Sequence, residues 1–379
     1  MAIYTDKVAQ EAIDTRAEKI KNLNTLNIIV AGKTGVGKST LINAVFRDKL
    51  AETGMGKPMT DHMRKISKKG IPLAIYDTKG LELGKEVQQQ VKQEVMETIR
   101  KGLATQDINK AIHCIWYCIN TASNRVEPEE IEWIKELAKE NQITQVPIIV
   151  VLTQSFSKKN ADTLRRMILD ENLDVVQVVP VLAEDYEIDE EYIAKSYGLD
   201  VLIRVMGEAL PDELMYTLQN VQIASLAEKK KVARGVVAAA TLAAAGEGAA
   251  PIPFSDCALL IPTQLGMIAS ITVIFGFDIK KSILAAFLSS ALGSGGATLL
   301  GKTTVANLIK LIPGAGTLAG GIISAATAGV FTTALGEAYI GIMTRVFNGE
   351  MSIDDFGTKG GKDQMKALFK HELKKKDKK

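Results

Sequence analysis

The sequence predicts an α/β, doubly wound domain built on a mostly parallel sheet, followed by an all-α, hydrophobic helical domain. Three observations carry that reading. Between residues 25 and 220, β-branched apolar runs alternate with helical patterns, as βαβ units require. A glycine-rich loop, Gly32-Lys33-Thr34-Gly35-Val36-Gly37-Lys38-Ser39, stands between the first apolar run and the first helical pattern. Near residue 221 the composition shifts to Ala, Gly, Ser and Thr, and strand signals stop.

The elements follow in order. Residues 1–24 read as an N-terminal helix: Asp6 to Lys21 is charged throughout, with a sparse apolar stripe (Val8, Ile13, Ile20) and no secretory apolar core. Strands are expected at 26–31, 63–67, 72–77, 111–119, 147–153 and 175–181, and helices at 39–46, 85–101, 128–141, 161–171 and 199–210. Lys68-Lys69-Gly70 makes a short turn, so strands two and three form a hairpin and the sheet gains one antiparallel edge strand. This organises the chain as 1–24, an N-terminal helix; 25–220, the α/β domain; 221–350, the Ala/Gly-rich helical domain; and 351–379, a basic tail ending Lys374-Lys375-Lys376-Asp377-Lys378-Lys379.

The loop matches G-x-x-x-x-G-K-[ST], in which glycines let backbone N–H groups face phosphate oxygens at a helix N-terminus. The candidate phosphate contacts run from Gly32 through Thr40. Lys38 would reach the β- and γ-phosphates, and the Ser39 hydroxyl would ligate Mg²⁺. The next anchor is Tyr76-Asp77-Thr78-Lys79-Gly80 at the end of an apolar strand. Asp77 suits a carboxylate that holds Mg²⁺ through water, and the Gly80 N–H would sense the γ-phosphate. Between the anchors, the turn-rich stretch 54–60 supplies Thr60 as candidate switch threonine and third magnesium ligand, with Thr53 as competitor. Lys38, Thr60 and Gly80 are therefore the candidate catalytic residues.

This series resembles the Era–septin branch of translation-factor-type GTPases. Thr34-Gly35 in the loop is similar to septins, immunity-related GTPases and GTPases of immunity-associated proteins. Residues Ile112-His113-Cys114-Ile115-Trp116-Tyr117-Cys118-Ile119, with Arg125 behind, resemble a poorly characterised bacterial and fungal group. In its bacterial members a domain of unknown function follows, and Pro251-Ile252-Pro253-Phe254-Ser255-Asp256 and Ile312-Pro313-Gly314-Ala315-Gly316-Thr317 are similar to parts of that domain. The resemblance implies a P-loop GTPase (G) domain, GTP/GDP and Mg²⁺ as cofactors, a guanine nucleotide as partner, and a nucleotide-dependent homodimer.

Two departures qualify it. The base-reading motif [NT]-K-x-D appears as Thr153-Gln154-Ser155-Phe156, without Lys or Asp. Gln154 could lay its stem over the base, Ser155 could accept one bond, and the Ala183 N–H in Val181-Leu182-Ala183 could meet a guanine O6. The missing carboxylate leaves an adenine-nucleotide enzyme open. The residue after Gly80 is Leu81, which cannot orient water as the glutamine of Ras-type enzymes does. Lys79, Lys33 or an Arg125 from a facing subunit are the alternatives, and slow intrinsic turnover is expected. His62 lies beside the switch threonine; His113 reads as a sheet residue.

The formal net charge of +2 over 379 residues argues against DNA as a partner, and three cysteines make no disulfide framework, as expected in the cytoplasm. Stretches 235–246, 257–277, 282–301 and 311–336 lack charge but are rich in small residues, with Gly314, Gly316, Gly320 and Gly321 suiting close helix contact. A compact helical domain and one that docks on a membrane surface both fit; independent membrane-spanning segments are marginal on insertion scales.

Overall fold

The computed structural model describes residues 2–53, 55–79, 81–122, 125–247, 252–253, 261–284, 287, 322–323 and 325–375. The chain forms two compact units, Leu23–Glu228 and a second made of Met1–Asn22 with Lys229–Lys379.

The first unit is built on β1 (Leu26–Ala31), β2 (Met55–Pro58), β3 (Met63–Ser67), β4 (Leu73–Thr78), β5 (Cys114–Asn120), β6 (Ile148–Thr153) and β7 (Gln177–Pro180). They lie in the order β2-β3-β4-β1-β5-β6-β7. β1 pairs parallel with β4 and β5, and β5-β6-β7 continue parallel. β3 runs antiparallel to β4 through the 68–70 turn, where Gly70 has φ 85°. β2 adds outside β3, so part of the stretch expected as loop is a strand. It lacks apolar alternation, and pairing with the hairpin supplies what its own residues do not.

Every residue of β1 and β6 is buried, as strands covered on both faces require. Alternation sends Ile28 and Val30 to one face and Ile29 and Ala31 to the other. The first face is covered by α2 (Lys38–Val45) and, later in the chain, by helices spanning Leu199–Ala209 and Met215–Val221. The second is covered by helices spanning Lys85–Ala104, Pro128–Asn141 and Lys158–Asp170. With the N-terminal helix as α1 (Ala2–Lys21) and a single turn α3 (Leu50–Thr53) after α2, these five become α4 to α8 in chain order: α4 (Lys85–Ala104), α5 (Pro128–Asn141), α6 (Lys158–Asp170), α7 (Leu199–Ala209) and α8 (Met215–Val221). Two short strands, β8 (Tyr186–Glu187) and β9 (Ile193–Ala194), make a hairpin between β7 and α7 that no strong periodicity announced. Cys114 and Cys118 are buried in the core, which pushes both thiols up to about 12. His113 accepts the Asn27 N–H on Nδ1, and burial pulls its pKa down to about 4 with the Ile108 carbonyl opposing.

In the second unit α1 lies along α10 (Ile261–Phe275), and Arg16 reaches Asp278 at 3.0 Å and the Phe277 carbonyl at 2.9 Å. Before α10 runs α9 (Leu226–Glu247), whose Lys229 is fully buried and donates to the Ile274 and Phe275 carbonyls. A cation at a helix C-terminus satisfies carbonyls that the helix leaves open. On α11 (Ala325–Phe347) Tyr339 hydroxyl meets Thr272 at 2.7 Å, and a Cβ at Gly336 would lie 2.5 Å from Val237. Small residues there set close helix approach, while Gly314, Gly316, Gly320 and Gly321 lie outside the described residues. The stretch expected as a basic tail contains α12 (Lys359–Lys375), whose Met365 and Phe369 are buried; an apolar stripe within the charges folds it onto α11. No described helix is long and apolar enough to cross a membrane.

Candidate functional site

The site forms at the C-terminal ends of β1, β4 and β6, where doubly wound sheets open a crevice. Parallel register places Val30 opposite Asp77, so the loop leaving β1 and the carboxylate ending β4 are neighbours by construction. The glycines carry the backbone through positive φ: Gly32 143°, Gly35 81°, Gly37 97°. At Gly32 a Cβ would also come within 2.5 Å of the Cys118 carbonyl, so only glycine fits. Gly37 caps α2, which starts at Lys38 and directs its N-terminus into the cleft.

The cleft has a volume of about 640 Å³ and is lined by Thr34, Gly35, Gly37, Lys38, Ser39 and Thr40 from the loop. Thr60, Arg64, Asp77, Lys79 and Gln154 are also among its lining residues. Sequence-distant candidates thus share one cavity. Gly80 lies outside the described residues; Thr53 ends α3.

Lys38 Nζ donates to the Gly32 carbonyl at 2.7 Å and the Lys33 carbonyl at 2.9 Å, which holds the ammonium at the loop. Asp77 Oδ2 accepts from Arg64 Nε at 3.0 Å, while its buried Oδ1 has no hydrogen-bond partner among the described residues. A buried carboxylate oxygen with no donor is costly unless a cation or water completes it. With the Ser39 and Thr60 hydroxyls on the same cavity, the donors are hard oxygens and fit Mg²⁺.

Three carboxylates absent from the sequence reading hold the loops. Glu82 accepts from the Thr34 N–H at 3.2 Å and from its hydroxyl at 2.8 Å. Burial pushes the Glu82 carboxyl up, but these bonds and the Lys38 charge outweigh it and leave it below the usual range. Glu94, on α4, accepts from the Thr60 hydroxyl with one oxygen and meets His62 Nδ1 at 3.0 Å with the other. Glu127 pairs with Lys33, and that hydrogen bond and charge hold its carboxyl low. Lys33 is therefore committed to the start of α5, with Glu130 at 3.9 Å. Lys79 is exposed on the cleft, and its N–H donates to the His62 carbonyl. Leu81 is 2% exposed, a core residue. No local pattern marks these carboxylates, since each works across a contact distant in sequence.

At the base end, Thr153 hydroxyl donates to the Val36 carbonyl at 2.5 Å and Gln154 Nε2 to the Gly35 carbonyl at 3.1 Å. Gln154 has φ 52°, a left-handed backbone uncommon outside glycine and often found at functional sites. Ser155 is fully buried: its hydroxyl donates to the Leu152 carbonyl and meets Thr121, so it does not face a base. Ala183 follows the backbone clamp between Leu182 and Tyr197.

Residues 27–154 match the family model described as 50S ribosome-binding GTPase. Human Septin-9 is 22% identical over 215 residues, covering 51% of this chain and 36% of that protein. Translocase of chloroplast 101 from Physcomitrium patens is 39% identical over 85 residues, covering 21% of this chain and 9% of it. The chain thus spans about a third of the length of Septin-9, and 56% of the length of human Septin-12. Among solved structures, a probable GTP-binding protein engB aligns at 17% identity and TM-score 0.30, over 48% of this chain and 97% of that one. The stretch that carries the loop and Asp77 is a P-loop GTPase G domain, similar at low identity to septins and chloroplast-translocon GTPases.

Proposed function

We propose that this chain binds GTP and Mg²⁺ in the 640 Å³ cleft, hydrolyses GTP slowly, and acts as a nucleotide-dependent switch. The observation that carries the reading is Asp77, whose buried Oδ1 has no hydrogen-bond partner among the described residues, on the wall of a cavity that also collects Lys38, Ser39 and Thr60. Ser39, Thr60 and, through water, Asp77 would hold Mg²⁺, which supplies neutralising charge to the phosphate oxygens. The loop N–H groups from Thr34 to Ser39 bind phosphate, and Lys38 turns from the Gly32 and Lys33 carbonyls to add its charge. Thr60 must leave Glu94 to enter the metal shell, so triphosphate binding reorders the segment between β2 and β3. Slow turnover follows from Leu81, which is buried and apolar where an orienting polar group would stand. The proposed output of the switch is self-association or contact with a membrane surface.

Calorimetry of the full chain with a non-hydrolysable GTP analogue and Mg²⁺ tests the site. Lys38→Ala should abolish binding while leaving the thermal unfolding midpoint in place, because the ammonium serves the cavity and not the core. Unchanged affinity would remove the assigned site.

A further inference from the structure

Between β7 and α7 the chain leaves the sheet to form the β8–β9 hairpin, and residues 184–193 are all exposed. Exposure is expected of the carboxylates in this stretch but not of its large apolar side chains. Tyr186, Ile188, Tyr192 and Ile193 are each between 48% and 57% exposed. Strand pairing groups them. Tyr186 stands opposite Ala194 and Glu187 opposite Ile193, and the Ile188 N–H donates to the Tyr192 carbonyl at 3.0 Å. Residues directly opposite share a face, as do residues two apart on one strand. Tyr186, Ile188 and Tyr192 therefore form one apolar face, while Ile193 lies with Glu187 on the other.

The hairpin is pinned at both ends. Leu182 and Tyr197, which flank it, exchange both backbone hydrogen bonds, and the Tyr197 hydroxyl donates to the Ser155 carbonyl at 2.9 Å. At its base the Tyr186 ring packs on Phe156, with centroids 4.3 Å apart. At its tip Asp189 Oδ1 accepts the N–H groups of Glu191 and Tyr192, at 2.9 and 2.7 Å, which fixes the turn. A surface ordered beforehand loses little freedom when a partner lands on it.

Charge decides which partner fits. Residues 184–193 carry six carboxylates and no cation. Asp185 meets Lys195 at 2.8 Å, whereas Glu184, Glu187, Glu190 and Glu191 have no cationic partner among the described residues. An apolar centre inside a polar rim is the anatomy of a protein interface. This rim repels nucleic acid and anionic lipid. A second copy docked face to face would set the acidic rim against itself, because a two-fold interface uses one patch twice and like charges there are costly. A polypeptide with Lys or Arg between apolar side chains complements both the face and its rim.

We infer that the Tyr186–Ile188–Tyr192 face of the β8–β9 hairpin docks a basic polypeptide segment with interleaved apolar side chains. Its apolar residues seat on the face, and its cations meet Glu184, Glu187, Glu190 and Glu191. The inference goes beyond nucleotide binding and does not depend on it, since none of these residues lines the 640 Å³ cleft.

The experiment is fluorescence anisotropy of labelled peptides titrated with the full chain. One peptide alternates lysine and leucine, a second lysine and serine, and a third glutamate and leucine. The wild type should bind the lysine–leucine peptide at least about tenfold more tightly than either of the others. Ile188→Ser with Tyr192→Ser should weaken that binding about tenfold or more, as loss of interface anchors does. Glu187→Gln, Glu190→Gln and Glu191→Gln together should weaken it at low salt, and their effect should shrink near 1 M salt, where the screening length falls to about 3 Å.

No binding of the lysine–leucine peptide to the wild type would overturn the inference. Equal affinity for the glutamate–leucine peptide would overturn the basic character of the partner. Undiminished binding in both sets of variants would place the peptide elsewhere on the chain. If sedimentation showed the serine variant to be monomeric where the wild type is dimeric, the face would belong to a second copy and the inference would fall. The glutamine variants alter only exposed carboxylates, so the face stays testable even if the serine variant fails to fold.

Discussion

At the scale of single residues, the site is a set of side chains whose roles follow from what surrounds them. Leu81 illustrates this. The sequence shows only that it cannot orient water; the structure adds that it is anchored in the core against the α4 face of the sheet. His113 makes the same point with a measurable consequence. Buried between β1 and the start of β5, it is kept neutral, with its pKa pulled from 6.5 to about 4 by burial. Because the folded value is depressed, the unfolded chain takes up the proton first. The contribution is complete above pH 6.5 and is lost as the pH falls from there through about 4, costing on the order of 2–3 kcal/mol. Urea unfolding should therefore show stability declining across that window in the wild type and a flatter dependence in His113→Gln. Equal slopes in the two proteins would show that His113 does not sense pH.

At the scale of elements, the loops around the cleft are fastened by carboxylates from helices and turns that follow them in sequence. Glu94 on α4 holds both Thr60 and His62, and the Thr60 contact must break before that hydroxyl can enter a metal shell. Removing the acceptor lowers the cost of that change. Glu94→Ala should raise affinity for a Mg²⁺–GTP analogue by about threefold or more while leaving GDP affinity near the wild-type value. Titration with a fluorescent nucleotide reads both; a weakened analogue affinity would show that Glu94 supports the binding-competent arrangement instead.

At the scale of the whole molecule, the chain joins a G domain to a helical unit that includes α1 as well as α9 to α12. Its described helices are apolar enough to need burial: α10 and α11 are packed internally, and the small residue Gly336 lets α11 approach α9 and α10 closely. If nucleotide controls self-association or membrane contact, full-length protein should sediment differently with GDP and with a GTP analogue, with or without anionic liposomes. The GDP form should stay in the supernatant, and the analogue form should form larger species or co-sediment. Identical behaviour in all four conditions would rule out this output and leave nucleotide binding untouched.

The sequence by itself determined the parts of this protein that depend on local pattern. The phosphate loop, the strand before it and the helix after it are contiguous, so their chemistry is legible in a dozen residues. Asp77 was legible because it ends an apolar strand, and parallel pairing then brings it beside the loop without further instruction. Only the tertiary structure decided the rest. Glu94, Glu82 and Glu127 reach partners 34, 48 and 94 residues away, and nothing in hydrophobic periodicity distinguishes a carboxylate that will meet a loop from one that will meet water. The same reason hid the burial of Ser155 and the Phe156–Tyr186 pair, which arise where two loops from different strands converge. It also hid the docking of α1 and α12. Charged faces dominate their composition, and their few apolar residues acquire meaning only against the helices that cover them.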